Sequence, residues 1–398
     1  MAEQRKKILF ITTQLPFPPV SGGVIKSWKL CEMLSQYYDL GIACLLKNND
    51  AAYMAELQSR LQLRDLVCYP LQVPRNAINL IKANLLGIPL NLYRNRSKAF
   101  RKMLDHKIPD YDVLFIDHYE MFQYVPAGYK GRVVLHQHNC EYLIWERFGE
   151  LETAALKRFA LFNQAGHIRR QELKICRQAD AILAAPNDKQ ELIKIGAPEG
   201  KFFDTFHLGD TTWLQFPELR FEKEELSLFF VGTLTWEANI DGLIWLLNNV
   251  WPSLKRKYKD LKFYIVGKNP DERLAEAVSL QKGVLLEGFQ ENLEPYFLAS
   301  KIFVAPLRFG SGIKVKVINA MYRGIPIITT PIGAEGIQVK HGEHILLAET
   351  SQEWVDGISA LLENREIWEK IRTESRALAA AQYTWESVLQ NTRRAIDA

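Results

Sequence analysis

The sequence predicts an α/β protein built of two doubly wound parallel-sheet domains that face a cleft. Three observations carry this. Short runs rich in Val, Ile, Leu and Phe recur along the chain with helix-like segments between them, the mark of strands covered on both faces by crossover helices. A length of 398 residues calls for two domains, with a third as the upper bound. Near the middle, FHLGDTTWLQFPELRFEKEELSLFF breaks the alternation with Gly209, Pro217 and the charged cluster Glu222–Glu225 before a new apolar strand begins.

In the first half the strands read as Ile8–Thr12, Gly41–Leu46, Val113–Ile116, Arg132–Leu135 and Ala181–Ala184. In the second they read as Ser227–Val231, Lys262–Val266, Gly283–Leu286, Ile302–Ala305, Ile325–Thr329 and Ile345–Leu347. Right-handed crossovers between parallel strands wind each set twice. The N-terminal domain is placed at 1–208, the C-terminal domain at 225–382, and 383–398 is a terminal helix with the option of packing back on the N-terminal domain. Ligands of such sheets bind beyond the carboxyl ends of the strands, so two facing domains can bring two substrates together.

Bulk properties narrow the function. A net charge of +4 is too weak a basic balance to argue for nucleic acid. Five cysteines, an odd number without a C-x-x-C pair, indicate a reduced, cytoplasmic chain. MAEQRKKILFITT has an apolar stretch too short for a signal peptide and reads as a first buried strand. No run approaches the ~18 apolar residues of a membrane span. The basic excess is local: Arg75 to Lys107 holds eight Lys/Arg and one Asp around LIKANLLGIPL, and a second run spans Lys157 to Arg177. Basic helices with an apolar side rest on anionic membrane or stand as solvated faces, and both readings stay open.

The most informative stretch is PLRFGSGIKVKVINAMYRGIPIITTPIGAEG, Pro306 to Gly336. It reads as a strand end, a turn with Gly310, Ser311 and Gly312, an amphipathic helix, a Gly break, a buried strand and a second Gly turn. Unpaired N–H groups and the helix dipole concentrate positive potential where such a turn enters a helix. Arg308, Lys314 and Lys316 lie in or beside it. The device suits a phosphorylated ligand, best a nucleotide diphosphate.

Four other segments carry chemistry. Gly22 and Gly23, after Ser21, open the helix following the first strand and allow close backbone approach to a ligand, although a plain turn reads equally well. They do not make G-x-G-x-x-G, so a nicotinamide fingerprint is missing. His136-Gln137-His138-Asn139-Cys140-Glu141 follows a buried strand, and its polar side chains are expected at the cleft, where a histidine can donate to a sugar hydroxyl or a phosphate. Were the strand to continue, His136, His138 and Cys140 would point one way, yet their spacing matches no zinc motif and no metal is expected. Gly232 and Thr233 close the first strand of the second domain, where backbone and hydroxyl can meet a phosphate. Gly288 and Phe289 form a turn suited to reading a base edge.

These pieces, in this order, resemble the family 4 glycosyltransferases of the two-domain, Rossmann-like GT-B fold. The likeness spans nearly the whole chain and is nearest to the bacterial subgroup of surface-polysaccharide synthesis. Val231-Gly232-Thr233, Trp236 to Asn239, Pro306 to Lys316, Ile332 to Gly336 and HNCE at His138–Glu141 carry it. The resemblance implies retaining, metal-independent transfer of a sugar from a UDP- or GDP-linked donor to a glycan or lipid-linked acceptor, without a cofactor. The C-terminal domain would hold the nucleotide. The N-terminal domain would hold the acceptor and bring His138 to the transferred sugar. The enzyme would be cytoplasmic, with peripheral contact on the inner face of the membrane as an option. Two departures stand out. Where the wider family has Glu-x7-Glu across the turn and helix, this chain has Ser311 and Asn319, and Thr233 to Asn239 offers no cation. The alternative expectation is therefore a catalytically weak or inactive nucleotide-sugar-binding scaffold subunit.

Overall fold

The computed structural model describes residues 5–20, 22–48, 50–206, 208–222 and 225–398. The chain divides into two compact units. The first takes the residues before Leu208 together with the segment from Trp385 to Ala398, and the second runs from Leu208 to Thr384.

The N-terminal unit holds a seven-stranded sheet of β1 (Lys7–Thr12), β2 (Asp39–Leu46), β3 (Asp65–Pro70), β4 (Val113–Asp117), β5 (Arg132–His136), β6 (Ala181–Ala184) and β7 (Phe202–Asp204) in the order β3-β2-β1-β4-β5-β6-β7. Every neighbouring pair is parallel. Ile8 to Ile11 and Leu114 to Ile116 are fully buried, as a strand covered on both faces requires, so these strands are continuous apolar runs and not alternating ones. The order reverses between β1 and β4, and that switch point lets side chains converge beyond the strand ends.

The C-terminal unit repeats the plan with six strands: β8 (Ser227–Val231), β9 (Lys262–Val266), β10 (Val284–Gly288), β11 (Ile302–Ala305), β12 (Ile327–Thr329) and β13 (Leu346–Leu347), ordered β10-β9-β8-β11-β12-β13. All of these pairs are parallel too. The reversal falls between β8 and β11. Leu228, Phe230, Phe263, Ile265, Ile302, Val304, Ile328 and Leu346 of the sheet enter one core cluster, against Trp251, Trp354 and Ile358 from helices.

The last helix, Trp385–Asp397, packs on the N-terminal unit. Val388, Thr392, Ala395 and Ile396 are buried along one stripe, the spacing of one helical face. Asn391 Nδ2 donates to the Asp204 carbonyl at 2.9 Å, and Arg132 Nε to the Ala395 carbonyl at 2.7 Å. Eleven of the thirteen strands among the described residues coincide with runs read from the sequence; β3 and β7 do not. β3 carries Asp65 and Pro70 at the sheet edge, and β7 has only three residues, so neither shows an apolar run.

Candidate functional site

Both switch points gather polar side chains. In the C-terminal unit, β8 ends at Val231, and Gly232 donates its N–H to the Val266 carbonyl at 3.0 Å. Helix Glu237–Asn249 follows. Its Asn239, 2% exposed, donates from Nδ2 to the Thr233 carbonyl at 2.8 Å and accepts Lys316 Nζ on Oδ1. A Cβ at residue 232 would stand about 3.1 Å from Lys316 Nζ and from Asn239 Nδ2, so glycine lets the strand end pass this close. Lys316 is half-buried and lies over the Phe230 ring at 4.5 Å and the Trp236 ring at 5.7 Å. Burial, with Lys314 nearby, pushes its ammonium down to about 7.

The turn before helix Val315–Arg323 needs its glycines: φ is +135° at Gly310 and +74° at Gly312, a region L side chains rarely adopt. Lys314, 4% exposed, donates to the carbonyls of Ser311, at 3.0 Å, and Gly312. It thereby closes the turn from inside. Ser311 is buried. Arg308 pairs with Asp241 at 3.1 Å and lies over the Trp245 ring at 5.9 Å. Of the three cations singled out by sequence, then, Arg308 is answered by a carboxylate and Lys314 by backbone carbonyls. Lys316 stands over aromatic faces with a neutral amide as its partner. Two helices start beside it, Glu237–Asn249 after β8 and Val315–Arg323 after β11, and each amino terminus carries partial positive charge.

Asn319, half-buried on the second helix, accepts the Asp210 N–H on Oδ1 at 2.9 Å. It pins the first residues of the unit, from the position that matches the second Glu of the family's Glu-x7-Glu. Thr233 is exposed at the rim. Gly288, at φ +68°, ends edge strand β10, and Phe289 beside it is 55% exposed. Both lie two strands away from β8.

In the N-terminal unit the hub is Asp117, which the sequence reading passed over. Fully buried at the end of β4, its Oδ2 accepts Thr12 Oγ1 at 2.7 Å and Ser27 Oγ at 2.6 Å. Its Oδ1 meets His136 Nδ1 at 2.7 Å and His138 Nε2 at 2.6 Å. His118 stacks on His138 with ring centroids 3.6 Å apart. Burial opposes ionisation of Asp117, yet the charges of His138 and His118 and the hydrogen bonds of His136 and His138 hold its carboxyl well below the usual range. An ionised carboxylate only accepts, so both facing imidazole nitrogens carry hydrogen. Burial pushes His118, His136 and His138 each down to about 4; His138 adds to the effect at His118 and Lys26 at His136, while Asp117 opposes it at all three. The cluster at neutral pH is one carboxylate with neutral imidazoles.

Lys26, wholly buried, donates to Thr205 Oγ1 at 2.9 Å. Burial holds its ammonium well below its ordinary value, against Asp117 and Asp188. The first turn of helix Gly22–Tyr37 lies against the His138 ring at Gly23, where a Cβ would stand in ordinary contact 3.7 Å from Nδ1. Ser21 lies outside the described residues.

The strand does not continue through the histidine segment. β5 ends at His136, and Gln137 bonds to the Leu183 carbonyl through its N–H at 2.8 Å and to Glu172 through Nε2 at 2.5 Å. Glu172, buried on helix Ala155–Gln178, also accepts the N–H groups of Glu141 at 2.8 Å and Tyr142 at 3.1 Å. Cys140 precedes the helix Glu141–Leu151 as a buried thiol outside the cluster, and burial raises it well above its usual value. Asp117, His136 and His138 could each offer one metal-ligand atom, all within 4.8 Å of one another. Ligand atoms around a tetrahedral ion with bonds of ~2.0–2.2 Å stand about 3.3–3.6 Å apart. The observed 2.6 and 2.7 Å are hydrogen-bond distances, so these residues would have to separate to admit an ion. The sequence signal for Asp117 was an Asp-His pair closing the apolar run VLFIDH, the same kind of signal that marked HQHN.

Residues 225–364, which contain the Lys316 cradle, match the family model described as Glycosyl transferases group 1. The chain is 24% identical over 353 residues to an uncharacterized 44.6 kDa protein in the cps region of Klebsiella pneumoniae, covering 86% of this chain and 87% of that one. Among solved structures it resembles Anabaena HepE in complex with UDP and glucose, with a TM-score of 0.70, 12% identity, and 99% and 100% of the two chains covered. It resembles equally S. aureus TarM in complex with fondaparinux, alpha-GlcNAc-glycerol and UDP, with a TM-score of 0.70, 12% identity and the same coverage. Sucrose-phosphate synthase of Thermosynechococcus elongatus gives a TM-score of 0.67 at 14% identity, with 98% of each chain covered. The fold is GT-B.

Proposed function

We propose that this chain is a retaining glycosyltransferase that moves a sugar from a nucleotide diphosphate donor to a glycan or lipid-linked acceptor. The observation that carries the proposal is the Lys316 cradle: an ammonium over two aromatic rings, beside the amino termini of two helices. Departure of a nucleoside diphosphate develops negative charge on its β-phosphate. A prepositioned cation and helix N–H groups stabilise that charge where it forms, so leaving-group stabilisation is assigned to Lys316 and the turn Gly310–Lys314, with no metal invoked. His138, fixed by Asp117, is assigned to the transferred sugar, and the N-terminal unit to the acceptor. The likeness to HepE and TarM, both solved in complex with UDP, favours uridine as the base, and the cps-region relative favours surface polysaccharide as the product. No described helix is long and apolar enough to cross a membrane; we assign the enzyme to the cytoplasm, meeting its acceptor at the membrane face.

A second reading has its own observation. Asn319, which replaces the family's second Glu, spends Oδ1 on the Asp210 N–H, and Ser311 is buried. A chain that binds donor without turning it over would be a scaffold subunit. Purified protein is tested against UDP- and GDP-linked sugars by thermal shift and by release of free nucleotide. Stabilisation with release supports the transferase; stabilisation by a donor without release in the presence of lipid-linked acceptors supports the scaffold. Neither effect with any donor refutes both.

A further inference from the structure

Two helices of the N-terminal unit turn large apolar side chains to solvent. Helix Ala77–Leu85 presents Ile78, Ile81 and Leu85, and Leu86 follows it; they are 63%, 58%, 82% and 57% exposed. Helix Ala155–Gln178 presents Leu156 at 83% and Phe159 at 71%. Each set keeps the i, i+3, i+7 spacing of a single helical face: residues 78, 81 and 85 on the first helix, and residues 156, 159 and 163 on the second. Asn163 joins the two helices. Its Nδ2 donates to Asn84 Oδ1 at 2.9 Å, Gln164 Nε2 donates to the same oxygen at 2.6 Å, and the Leu90 N–H donates to Gln164 Oε1 at 2.7 Å. Asn84 immediately precedes Leu85, and Phe159 stands one turn before Asn163. Six of the fourteen exposed large hydrophobics among the described residues therefore gather on one joined pair of helices. A clustering of this kind marks an interaction surface rather than scatter.

The rim is cationic. Arg75, Lys82, Lys157 and Arg158 are exposed around it. Arg75 lies over Trp145 at 4.9 Å and Arg158 over Phe162 at 5.7 Å. Lys157 lies over Phe148 at 5.2 Å and pairs with Glu152 at 2.6 Å. Glu141 lies near Arg75, and Glu146 and Glu150 are the other carboxylates of the helix Glu141–Leu151. A second copy on a two-fold axis would set this positive rim against itself, since such an interface meets the same patch. An anionic bilayer answers both features, taking the aliphatic side chains at the headgroup boundary and the cations among phosphates.

We propose that the paired helices Ala77–Leu85 and Ala155–Gln178 dock this chain on an anionic membrane surface. The second of these helices also carries Glu172, which holds the segment bearing His138. Docking therefore engages the same helix that orders the His138 loop. The inference stands apart from the transfer chemistry: failure to bind any nucleotide sugar leaves it untouched, and failure to dock leaves the donor cradle untouched.

The test is flotation of the purified full chain with vesicles of phosphatidylcholine containing about one third phosphatidylglycerol, beside pure phosphatidylcholine vesicles. Binding to the anionic vesicles alone is expected. The variant Leu85→Ser/Phe159→Ser should lose about tenfold or more in vesicle affinity, and so should Lys82→Glu/Arg158→Glu. Circular dichroism and melting of both should match wild type, since these side chains are exposed. Absence of flotation on anionic vesicles, or affinity unchanged in both variants, overturns the proposal. So does a dimer that the Leu85→Ser/Phe159→Ser change dissociates while vesicle binding persists, because the face would then belong to a second copy.

Discussion

Lys316 offers the sharpest prediction, because its proton is the element of the cradle that can be removed without mutation. Its ammonium titrates at about 7 before ligand arrives, held down by burial and by Lys314. A diphosphate diester carries no titrating proton near neutrality, so a nucleotide sugar binds as a fixed anion and favours the protonated lysine. The sign follows. Below pH 7 the lysine is already charged and affinity is flat; above pH 7 binding must draw a proton from solvent, and affinity falls with each unit of pH. At a pH two units above that value, roughly one molecule in a hundred is protonated beforehand, a penalty of about 2.7 kcal/mol. Removing the charge-assisted hydrogen bond by Lys316→Ala costs about 1.5–3 kcal/mol near pH 6.5. The wild-type and variant affinities should therefore converge by about pH 9. Calorimetry with UDP-glucose in two buffers of different ionisation enthalpy reads the proton directly: about 0.5 to 0.9 taken up per site at pH 8 in wild type, and none in Lys316→Ala. Lys316→Arg, which does not deprotonate, should bind with no slope. A flat wild-type profile, or proton uptake that survives Lys316→Ala, would refute the reasoning.

Three further outcomes are expected. His138→Ala should lower kcat by about a hundredfold or more, the range of a lost proton-handling or polarising group, and leave donor KM within about threefold; wild-type turnover removes His138 from the chemistry. The histidines titrate near 4 in the folded chain against an ordinary 6.5. The unfolded chain therefore binds more protons between those values, and stability falls as pH drops through that window, by about 3 kcal/mol for His136 alone; urea unfolding free energies that are level from pH 7 to 4.5 would contradict this. Gly209→Ala would drive a Cβ into Asn319 Oδ1 and should cost about 1–3 kcal/mol in chemical denaturation, with more than half of that recovered in an Asn319→Ala background because the two sites are coupled; equal penalties in both backgrounds would show that the contact does not matter.

Much of the architecture was legible because parallel strands covered on both faces must be apolar throughout, and β1, β4, β8 and β11 announce themselves as such runs. β3, whose DLVCYP begins on Asp65 and closes on Pro70, and the three-residue β7, which ends on Asp204, show no apolar run and were not read. The turn before helix Val315–Arg323 was legible through Gly310 and Gly312, whose backbone conformations require glycine. What its lysines and arginine would do was not. Asp241 claims Arg308 across 67 residues, and Asn239 meets Lys316 across 77, pairings created by the register of β8 beside β11. Asp117 was hidden for the same reason. Its partners Thr12, Ser27, His136 and His138 come from three chain segments and become neighbours only when β1, β4 and β5 lie side by side.

The most direct test of the donor site is a crystal structure of the chain with bound UDP. The diphosphate should lie within hydrogen-bond reach of Lys316 Nζ and of the N–H groups at the start of helices Glu237–Asn249 and Val315–Arg323. A nucleotide bound elsewhere, with Lys316 still turned to Asn239, would contradict the assignment of the cradle.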